Sequence, residues 1–401
     1  MIEFYSIWPC FAATAFLLLL AACPAFNAAD VPPDPGGPRI STLDGLRGFL
    51  ALGVVFHHGA VYHQYLLDGI WHAPPSQFYD LIGPIGVAMF FMITGYLFWS
   101  RLVEHEGRVD WLQLYVGRVF RIGPLYLFAI AVALAIIAAR SGFDLKVPPI
   151  EFAKQLSRWL ALGFLKLPDI NDYHYSSLVL ANVTWTLRFE WAFYASLLLL
   201  ALVAGRGKLH LPFAAAALIA CLVFVTVHAQ PTHETYMAAY AAQFLLGMTT
   251  GSLVREGMAG RIPDKLASLI AAALMCVVFV AFDSVFHSVA LVLVGIVFYL
   301  IASGCSLFGL LTGRPARRLG DVSYGIYLLQ GLVFTLVFSS AWVRSIALSS
   351  PLGHWSVVLL CATLLVALAT ATHVLIERPG IEFGKLIAHA LNKRSKKPSP
   401  R

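Results

Sequence analysis

Charged side chains are scarce in this sequence. They make up 12% of its 401 residues, against about a quarter in soluble domains, while 59% of the residues are hydrophobic. This composition excludes an ordinary soluble enzyme, because a soluble surface needs more charge than the chain contains. Apolar runs of about 20 residues, each long enough to cross a bilayer, recur along the whole chain. The sequence therefore predicts an all-α, polytopic integral membrane protein built as a helical bundle.

Several common enzyme and metal-binding patterns are also missing. The six cysteines lie in apolar surroundings without a CxxC pair, which argues against a disulfide framework or a zinc site. There is no Walker loop, GxSxG elbow, HExxH or EF-hand pattern, and nothing indicates a redox cofactor. We therefore expect no bound cofactor and no metal. The net charge of +7 gathers in loops and in the C-terminal KRSKKPSPR, which favours membrane orientation over nucleic-acid binding.

Ten apolar segments are predicted to form the core spans. They cover residues 44–66, 79–100, 120–139, 189–205, 209–228, 236–254, 266–283, 287–311, 323–343 and 354–376. The segment 151–166 is too short and too basic to cross, so we expect a helix in the membrane interface. Lys and Arg concentrate on one set of loops and on the tail, so both ends of the core are expected to be cytoplasmic. A bacterial inner membrane is the expected location.

The first 38 residues do not fit this core. FAATAFLLLLAAC at 11–23 is similar to a signal peptide and ends in a lipoprotein-like LAAC box, but the preceding MIEFYS carries Glu3 and no positive charge. We favour an uncleaved additional helix, or a start codon assigned too early, over lipidation.

Pro, Gly and charge patterns suggest the domain boundaries. PPDPGGP at 32–38 predicts a linker. Glu377–Arg378–Pro379 predicts that the last helix ends there, at the cytoplasmic face. The expected domains are an N-terminal apolar extension at 1–38, a membrane domain at 39–380 and a basic cytoplasmic tail at 381–401.

The segment LDGLRGFLALGVVFHHG carries four ionisable groups inside a predicted span: Asp44, Arg47, His57 and His58. A charge in the bilayer core costs at least about 2.5–3.5 kcal/mol, so each group needs a partner or a function. Asp44 and Arg47 are three residues apart and can pair, while His58 follows Arg47 by almost three helical turns, on the same face and about 16 Å away. An imidazole suits proton removal from a hydroxyl, although a buried core histidine is the alternative.

Two further segments carry polar groups at predicted span ends. In GRVFRIGPLY, Arg118 and Arg121 could bind phosphates bidentately, or simply anchor the helix as positive-inside residues. In NVTWTLRFEWAFY, Glu190 and Tyr194 are four residues apart and share a face. Trp185 and Tyr194 could instead belong to an interfacial aromatic belt.

The motif order resembles acyltransferase family 3, integral-membrane enzymes that mostly acylate glycan hydroxyls. The resemblance covers about residues 39–380 and rests on LDGLRGFLALGVVFHH, FFMITGYLF, RVFRIGPLY, WTLRFEWAFY and LGDVSYGIYLLQ, in that order. It implies that His58 is catalytic as part of an Arg-x10-His pattern with Arg47. At one position of the pattern Thr186 replaces the commoner serine and keeps the hydroxyl. Gln330 stands near where many relatives have histidine, so any role carried over to position 330 is in doubt.

The resemblance also places an Arg-x-x-Arg pattern on Arg118 and Arg121 and a Trp-Ser-Leu-x-x-Glu segment on Trp185 and Glu190, and the other roles are our own hypotheses. Arg118 and Arg121 are expected to bind the acyl donor, while Trp185, Tyr194 and His57 are expected near the acceptor. Asp44 and Arg47 would hold the helix and the electrostatics of the site.

The expected reaction is transfer of an acyl group, most simply acetyl, from acyl-CoA to a hydroxyl of a saccharide or other cell-envelope acceptor. His58 would be the general base, and Glu190 would orient His58 or the acceptor. The lipid bilayer is the third expected partner.

Three rival functions remain at this point. A secondary transporter or flippase could use the same buried charges as a proton relay, but we find no convincing internal repeat. A structural envelope protein would carry the histidines incidentally. A membrane acyltransferase of the class built around a buried His and Asn does not match the motif order. The acceptor stays open among polysaccharide, lipid-linked sugar, glycolipid and small natural product.

Overall fold

The computed structural model describes residues 3–30, 40–228, 230–257 and 262–395. Over these residues the chain folds into α-helices without a β-strand. In chain order the helices are α1 (Trp8–Ala22), α2 (Ser41–Asp68), α3 (Gln77–Glu104), α4 (Trp111–Arg140), α5 (Pro149–Trp159), α6 (Trp185–Ala204), α7 (His210–Val227), α8 (His233–Arg255), α9 (Asp264–Ala281), α10 (Ser288–Ala302), α11 (Arg314–Asp321), α12 (Ser323–Val337), α13 (Ala341–Ser349), α14 (Pro351–Thr372) and α15 (Arg378–Ser395). The linker predicted at 32–38 and the last six residues of the predicted tail lie outside the described residues.

Among the described residues, seven helical stretches are long and apolar enough to cross a bilayer: α3, α4, α6, α7, α8, α9 and the continuous run of α14 and α15. Helices α11 and α12 are bent by 65° and together make an eighth candidate. Of the ten predicted spans, the other two are α2, which is 28 residues long but rich in histidine, and α10, which has only 15 residues. The predicted all-α, polytopic membrane fold is confirmed.

The connection between α4 and α6 contains no helix long enough to cross a bilayer. Its one α-helix, α5, has 11 residues, about 16 Å, and is too short to span a bilayer core of about 30 Å. Trp159 anchors the end of α5, because its indole donates to the carbonyl of Pro168 and its own carbonyl accepts from the Tyr126 hydroxyl.

The last helix does not end where the sequence predicts, at Glu377–Arg378–Pro379. A single π-helical turn, His373–Glu377, joins α14 to α15, and the helix continues to Ser395. The wider turn relieves the clash that a proline ring makes with the preceding turn of an α-helix. Helix α15 then packs on α4, with the rings of Phe383 and Phe120 5.6 Å apart. The predicted helix end was therefore wrong, and residues 381–395 of the predicted tail are helical.

Helix α2 lies at the centre of the bundle and contacts α3, α11, α12 and α14. The bend between α11 and α12 brings backbone against backbone, since a Cβ at Gly320 would collide with the carbonyl oxygen of Asp44. Glycine at this position allows the close approach. It also brings Asp321 beside the start of α2, where it interacts electrostatically with Arg47.

The N-terminal helix α1 packs against α11 and α14. Leu17 on this helix is fully buried. After α1, the carboxylate of Asp30 pairs with Arg314 and Arg318, with N–O distances of 2.6 Å to each. These two guanidinium groups hold the pKa of the Asp30 carboxyl well below its usual range.

Candidate active site

His57 and His58 line a cavity of about 230 Å³ between helices. Helix α2 supplies both histidines, α6 supplies Trp185, α8 supplies Gln243 and α12 supplies Tyr327. Because several helices meet here, the cavity exists only in the assembled bundle. Most of its surface is apolar, so the few polar groups that face it carry its chemistry.

A hydrogen-bond chain determines which nitrogen of His58 is protonated. His58 Nδ1 lies 2.9 Å from Oε1 of Gln330, and Nε2 of Gln330 donates to the carbonyl oxygen of Tyr327 at 2.8 Å. The Tyr327 carbonyl can only accept, so the amide must present its oxygen to His58. Nδ1 of His58 must therefore carry the proton, which leaves Nε2 of the neutral ring with a free lone pair.

His57 is held differently. Its Nδ1 donates to the carbonyl oxygen of Tyr79 at 2.6 Å, and its ring meets that of His58 edge-on at 5.1 Å. Gly83 of α3 lies directly behind it, where a Cβ would approach the imidazole to 2.5 Å. His57 therefore forms a fixed part of the cavity wall beside His58.

Gln243 is a polar group in the cavity that the sequence motifs do not indicate. Its side chain is 1% exposed, and its Oε1 has no hydrogen-bond partner among the described residues. A buried amide oxygen without a partner costs about 1–3 kcal/mol, so the position is suited to a group that arrives with a substrate. Glutamine in an apolar helix is the only signal the sequence offers for it.

The predicted charged residues gather in a second cluster, called here the arginine cluster and defined by Arg47, Arg118, Arg121, Glu190 and Glu377. Arg47 interacts electrostatically with Arg121 and Glu377, and Glu190 interacts with Arg47 and Arg118. Arg121 Nη1 lies 4.0 Å from Glu377 Oε2. Arg47 and Arg121 repel each other, and the carboxylates of Glu190 and Glu377 offset part of this repulsion, which lowers the cost of burying the arginines.

Within the arginine cluster, Glu190 accepts a hydrogen bond from the Tyr194 hydroxyl at 2.9 Å. The guanidinium of Arg118 lies over the ring of Phe98, 5.0 Å from its centre. Glu190 was expected to orient His58 or the acceptor, but its hydrogen-bond partner is Tyr194, and Gln330 makes the orienting bond to His58. Tyr194 therefore contacts the arginine cluster, whereas Trp185 and His57 line the cavity.

Sequence reasoning missed Glu377 and His373 as parts of the site. The sequence predicts Glu377 as a helix-stop residue, yet its side chain is fully buried and neither carboxylate oxygen has a hydrogen bond to another described residue. His373, one turn earlier, lies 3.5 Å from it. The π turn points both side chains inward, a geometry that α-helical spacing does not predict.

Three helices link the two regions. On α2, Arg47 and His58 are separated by about 16 Å of helical rise, as the sequence predicts, since α2 is continuous. On α6, Glu190 belongs to the arginine cluster and Trp185 to the cavity. On α12, Tyr324 interacts with Glu377 and Glu190, while Tyr327 lines the cavity. A charged region and a cavity with a free imidazole nitrogen therefore lie along one axis of the bundle.

Thr186 and Asp44 occupy supporting positions. The Thr186 hydroxyl, at the position where a serine is commoner, lies 3.2 Å from the Tyr327 hydroxyl and helps to hold that wall of the cavity. Asp44 interacts electrostatically with Arg47, in agreement with their spacing on α2. Within the part of the chain that the structure describes, no three His, Cys, Asp or Glu side chains come together in a way that could hold a metal ion.

Comparison with known proteins supplies the family. A sequence model described as an acyltransferase domain matches residues 40–372, which is most of the chain and includes every predicted site residue. The chain belongs to this acyltransferase family. The matched range runs from the residue before α2 to the end of α14 and so contains the cavity and most of the arginine cluster.

Individual relatives are distant. The exopolysaccharide production protein ExoZ of Rhizobium meliloti is 28% identical over 322 residues, which cover 76% of this chain and 91% of that protein. Nodulation protein 10 of Rhizobium leguminosarum is 26% identical over 380 residues, 88% of this chain and 96% of the relative. YrhL of Bacillus subtilis, named provisionally as a peptidoglycan O-acetyltransferase, is 26% identical over 328 residues. The match covers 74% of this chain but only 49% of YrhL, so the chain spans about half the length of that relative. No solved structure matches the chain.

Proposed function

We propose that this membrane protein is an O-acyltransferase that moves an acyl group, most simply acetyl, from acyl-CoA to a hydroxyl of a cell-envelope saccharide. The single observation that carries the proposal is the chain from Tyr327 through Gln330 to His58, which leaves a lone pair on Nε2 of a neutral imidazole in a residue that lines the cavity. Such a nitrogen is the group that a general base requires. Membership of an acyltransferase family, and similarity to a relative named provisionally as a peptidoglycan O-acetyltransferase, support transfer of an acyl group to a glycan hydroxyl.

In the proposed reaction the acceptor hydroxyl oxygen attacks the thioester carbonyl carbon while His58 Nε2 takes the hydroxyl proton. A C–O bond forms, and the tetrahedral intermediate then collapses with cleavage of the C–S bond. The leaving CoA sulfur receives the proton back from His58, so that acid and base steps balance. Gln330 accepts from Nδ1–H throughout and stabilises the imidazolium that forms between the two steps.

Gln243 is proposed to bind the acceptor. Its unpartnered Oε1 would accept a hydrogen bond from a hydroxyl of the bound saccharide and so align the attacking oxygen with His58. His57 and Trp185 would form the walls against which the acceptor packs.

The arginine cluster is proposed to bind the phosphates of the acyl donor. Arg121 lies 4.0 Å from Glu377, at the limit of an ion pair, and its guanidinium keeps donors available for a phosphate oxygen. The positive-inside distribution of Lys and Arg supports a cytoplasmic position for this cluster, on the side where acyl-CoA is available, in a bacterial inner membrane.

The test is transfer of labelled acetyl from acetyl-CoA to isolated envelope glycan by the detergent-purified protein. We expect turnover by the wild type, loss of transfer in His58→Ala and a raised KM for acetyl-CoA in Arg118→Ala. His63→Asn is the matched control, because His63 is a buried histidine of the same helix whose Nδ1 bonds Tyr5 rather than facing the cavity. Wild-type rates in His58→Ala would refute the mechanism. A wild type that neither binds nor turns over acyl-CoA would favour the transporter instead.

A further inference from the structure

A second cavity, of about 550 Å³, lies next to the first and has a different lining. It is bounded by aromatic side chains, among them Tyr65, Trp71 and Tyr175, and by two arginines, Arg140 and Arg344. The reaction proposed above uses none of these residues. The size falls within the range of about 300–1,000 Å³ that is usual for ligand pockets.

The aromatic wall is rigid. Tyr62 stacks on Phe334 at 4.9 Å and on Phe338 at 5.2 Å, and Trp71 meets Tyr62 edge-on at 5.3 Å. Tyr62 is further held by a hydrogen bond between its hydroxyl and that of Thr335. Fixed rings of this kind offer flat apolar faces with hydroxyls at their edges, which match the C–H faces and hydroxyls of a sugar ring.

Tyr175 is held exposed at the rim of this cavity. Its side chain is 73% exposed, and its backbone has a φ of 57°. A left-handed conformation at a bulky residue is unfavourable, and it persists only where the surrounding structure imposes it. An exposed ring on a constrained backbone favours contact with a ligand over a role in packing.

The arginines give the cavity a positive charge. Arg140 donates to the Tyr173 hydroxyl at 3.3 Å and to the carbonyl of Thr335 at 3.2 Å. Arg344 donates to two backbone carbonyls, each at 2.9 Å. These partners are neutral, and no carboxylate is present among the residues that line the cavity. A ligand with a negative group would therefore complete the charge balance.

Trp71 connects the second cavity to the active site. The centre of its ring lies 5.8 Å from that of His58, and the same side chain lines the second cavity. We propose that this cavity binds the part of the saccharide acceptor that extends beyond the active site, and that this part contains an acidic sugar whose carboxylate pairs with Arg140 and Arg344. The proposal rests on the proposed acyl transfer, since a sugar ring packed on Trp71 has its hydroxyls one side chain away from His58.

The test is calorimetric binding of an oligogalacturonate to the full detergent-purified protein without acyl donor, beside its methyl ester as the uncharged probe. We expect the acid to bind, and the ester to bind at least about tenfold more weakly, because esterification removes a charge-assisted hydrogen bond. Tyr175→Ala should raise the Kd for the acid about fivefold, because it removes one aromatic face. Since the Tyr175 side chain is exposed, misfolding of the variant would not explain such a loss of affinity.

The charge is tested with Arg140→Gln, which should raise the Kd for the acid about tenfold and leave the ester unaffected. Lys146→Gln is the matched control, because it removes a positive charge from an exposed residue of the segment after α4, outside the cavity lining. Equal binding of acid and ester, no binding of either, or wild-type affinity in both cavity variants would overturn the proposal. The calorimetric assay measures binding without turnover. A failure of the acyl-transfer proposal would show separately in the transfer assay, as acetyl transfer that does not depend on His58.

Discussion

Replacing Gln330 with leucine tests the central geometry of the site. Leucine has nearly the same volume and cannot accept the proton of His58 Nδ1, which lies 2.9 Å from the amide oxygen in the wild type. His58 would then either keep an unpartnered N–H in a buried site or move the proton to Nε2. The first raises the energy of the imidazolium, and the second removes the lone pair that accepts the proton.

The expected cost is about 1–2 kcal/mol, the range for one buried hydrogen bond, which corresponds to a fall of about 5- to 30-fold in kcat. KM for acetyl-CoA should stay unchanged, because the arginine cluster lies nearly three turns away along α2. The assay is steady-state transfer of labelled acetyl by the purified protein at saturating acceptor.

Gln330→Glu is the rescue variant, since a carboxylate still accepts from Nδ1–H and should retain more activity than leucine. A merely structural role for Gln330 would give the opposite order, because an added buried charge would harm the fold more than leucine does. Wild-type kcat in Gln330→Leu, together with loss of transfer in His58→Ala, would refute the idea that Gln330 selects the tautomer.

Three further predictions follow from other contacts. Gln243→Leu should lower kcat/KM for the acceptor about tenfold without lowering the melting temperature, because the amide oxygen of Gln243 has no partner among the described residues until substrate binds. An unchanged kcat/KM would contradict this role. Glu377→Ala should destabilise the protein by about 3 kcal/mol in thermal melts in detergent, because Arg121 and Arg47 then lack this counter-charge inside the bundle. A higher melting temperature in the variant would argue against a charged Glu377. Asp30→Asn should lower the melting temperature at neutral pH. The pKa of Asp30 is lower in the folded state than the unfolded value of about 3.9, so its ionised carboxylate contributes its full stabilisation above about pH 3.9 and loses it as the pH falls through the folded pKa. The difference in melting temperature between wild type and variant should therefore shrink in acid. A difference that does not depend on pH would refute the ion pairing.

Some features of the site were predictable because they depend on one helix alone. Arg47 and His58 share a face of α2 for the same reason that any residues eleven apart do, and the low charge content required a membrane-embedded bundle. The order of the motifs was enough to indicate the family. Of the three residues expected near the acceptor, Trp185 and His57 line the same cavity and Tyr194 does not, and their contact with an acceptor stays a prediction.

Contacts between helices were not predictable in the same way. His58 and Gln330 are 272 residues apart in the chain, and their hydrogen bond depends on how α12 packs against α2. Packing between helices likewise brings Glu190 to Arg47 and Arg118 rather than to a bond with His58. Periodicity determines which face of a helix a residue occupies, but only the assembled bundle determines what that face meets.

The sequence by itself therefore determined the membrane environment, the helical class, the family and most of the ionisable residues of the candidate site, although not Glu377 and His373. Tertiary structure decided which of them act together, because π-turn geometry and helix packing brought Glu377 to Arg121 and Gln330 to His58. The physical reason is that hydrophobicity and helical spacing are local properties. Hydrogen bonds and ion pairs between helices depend instead on interatomic distances that the whole bundle sets.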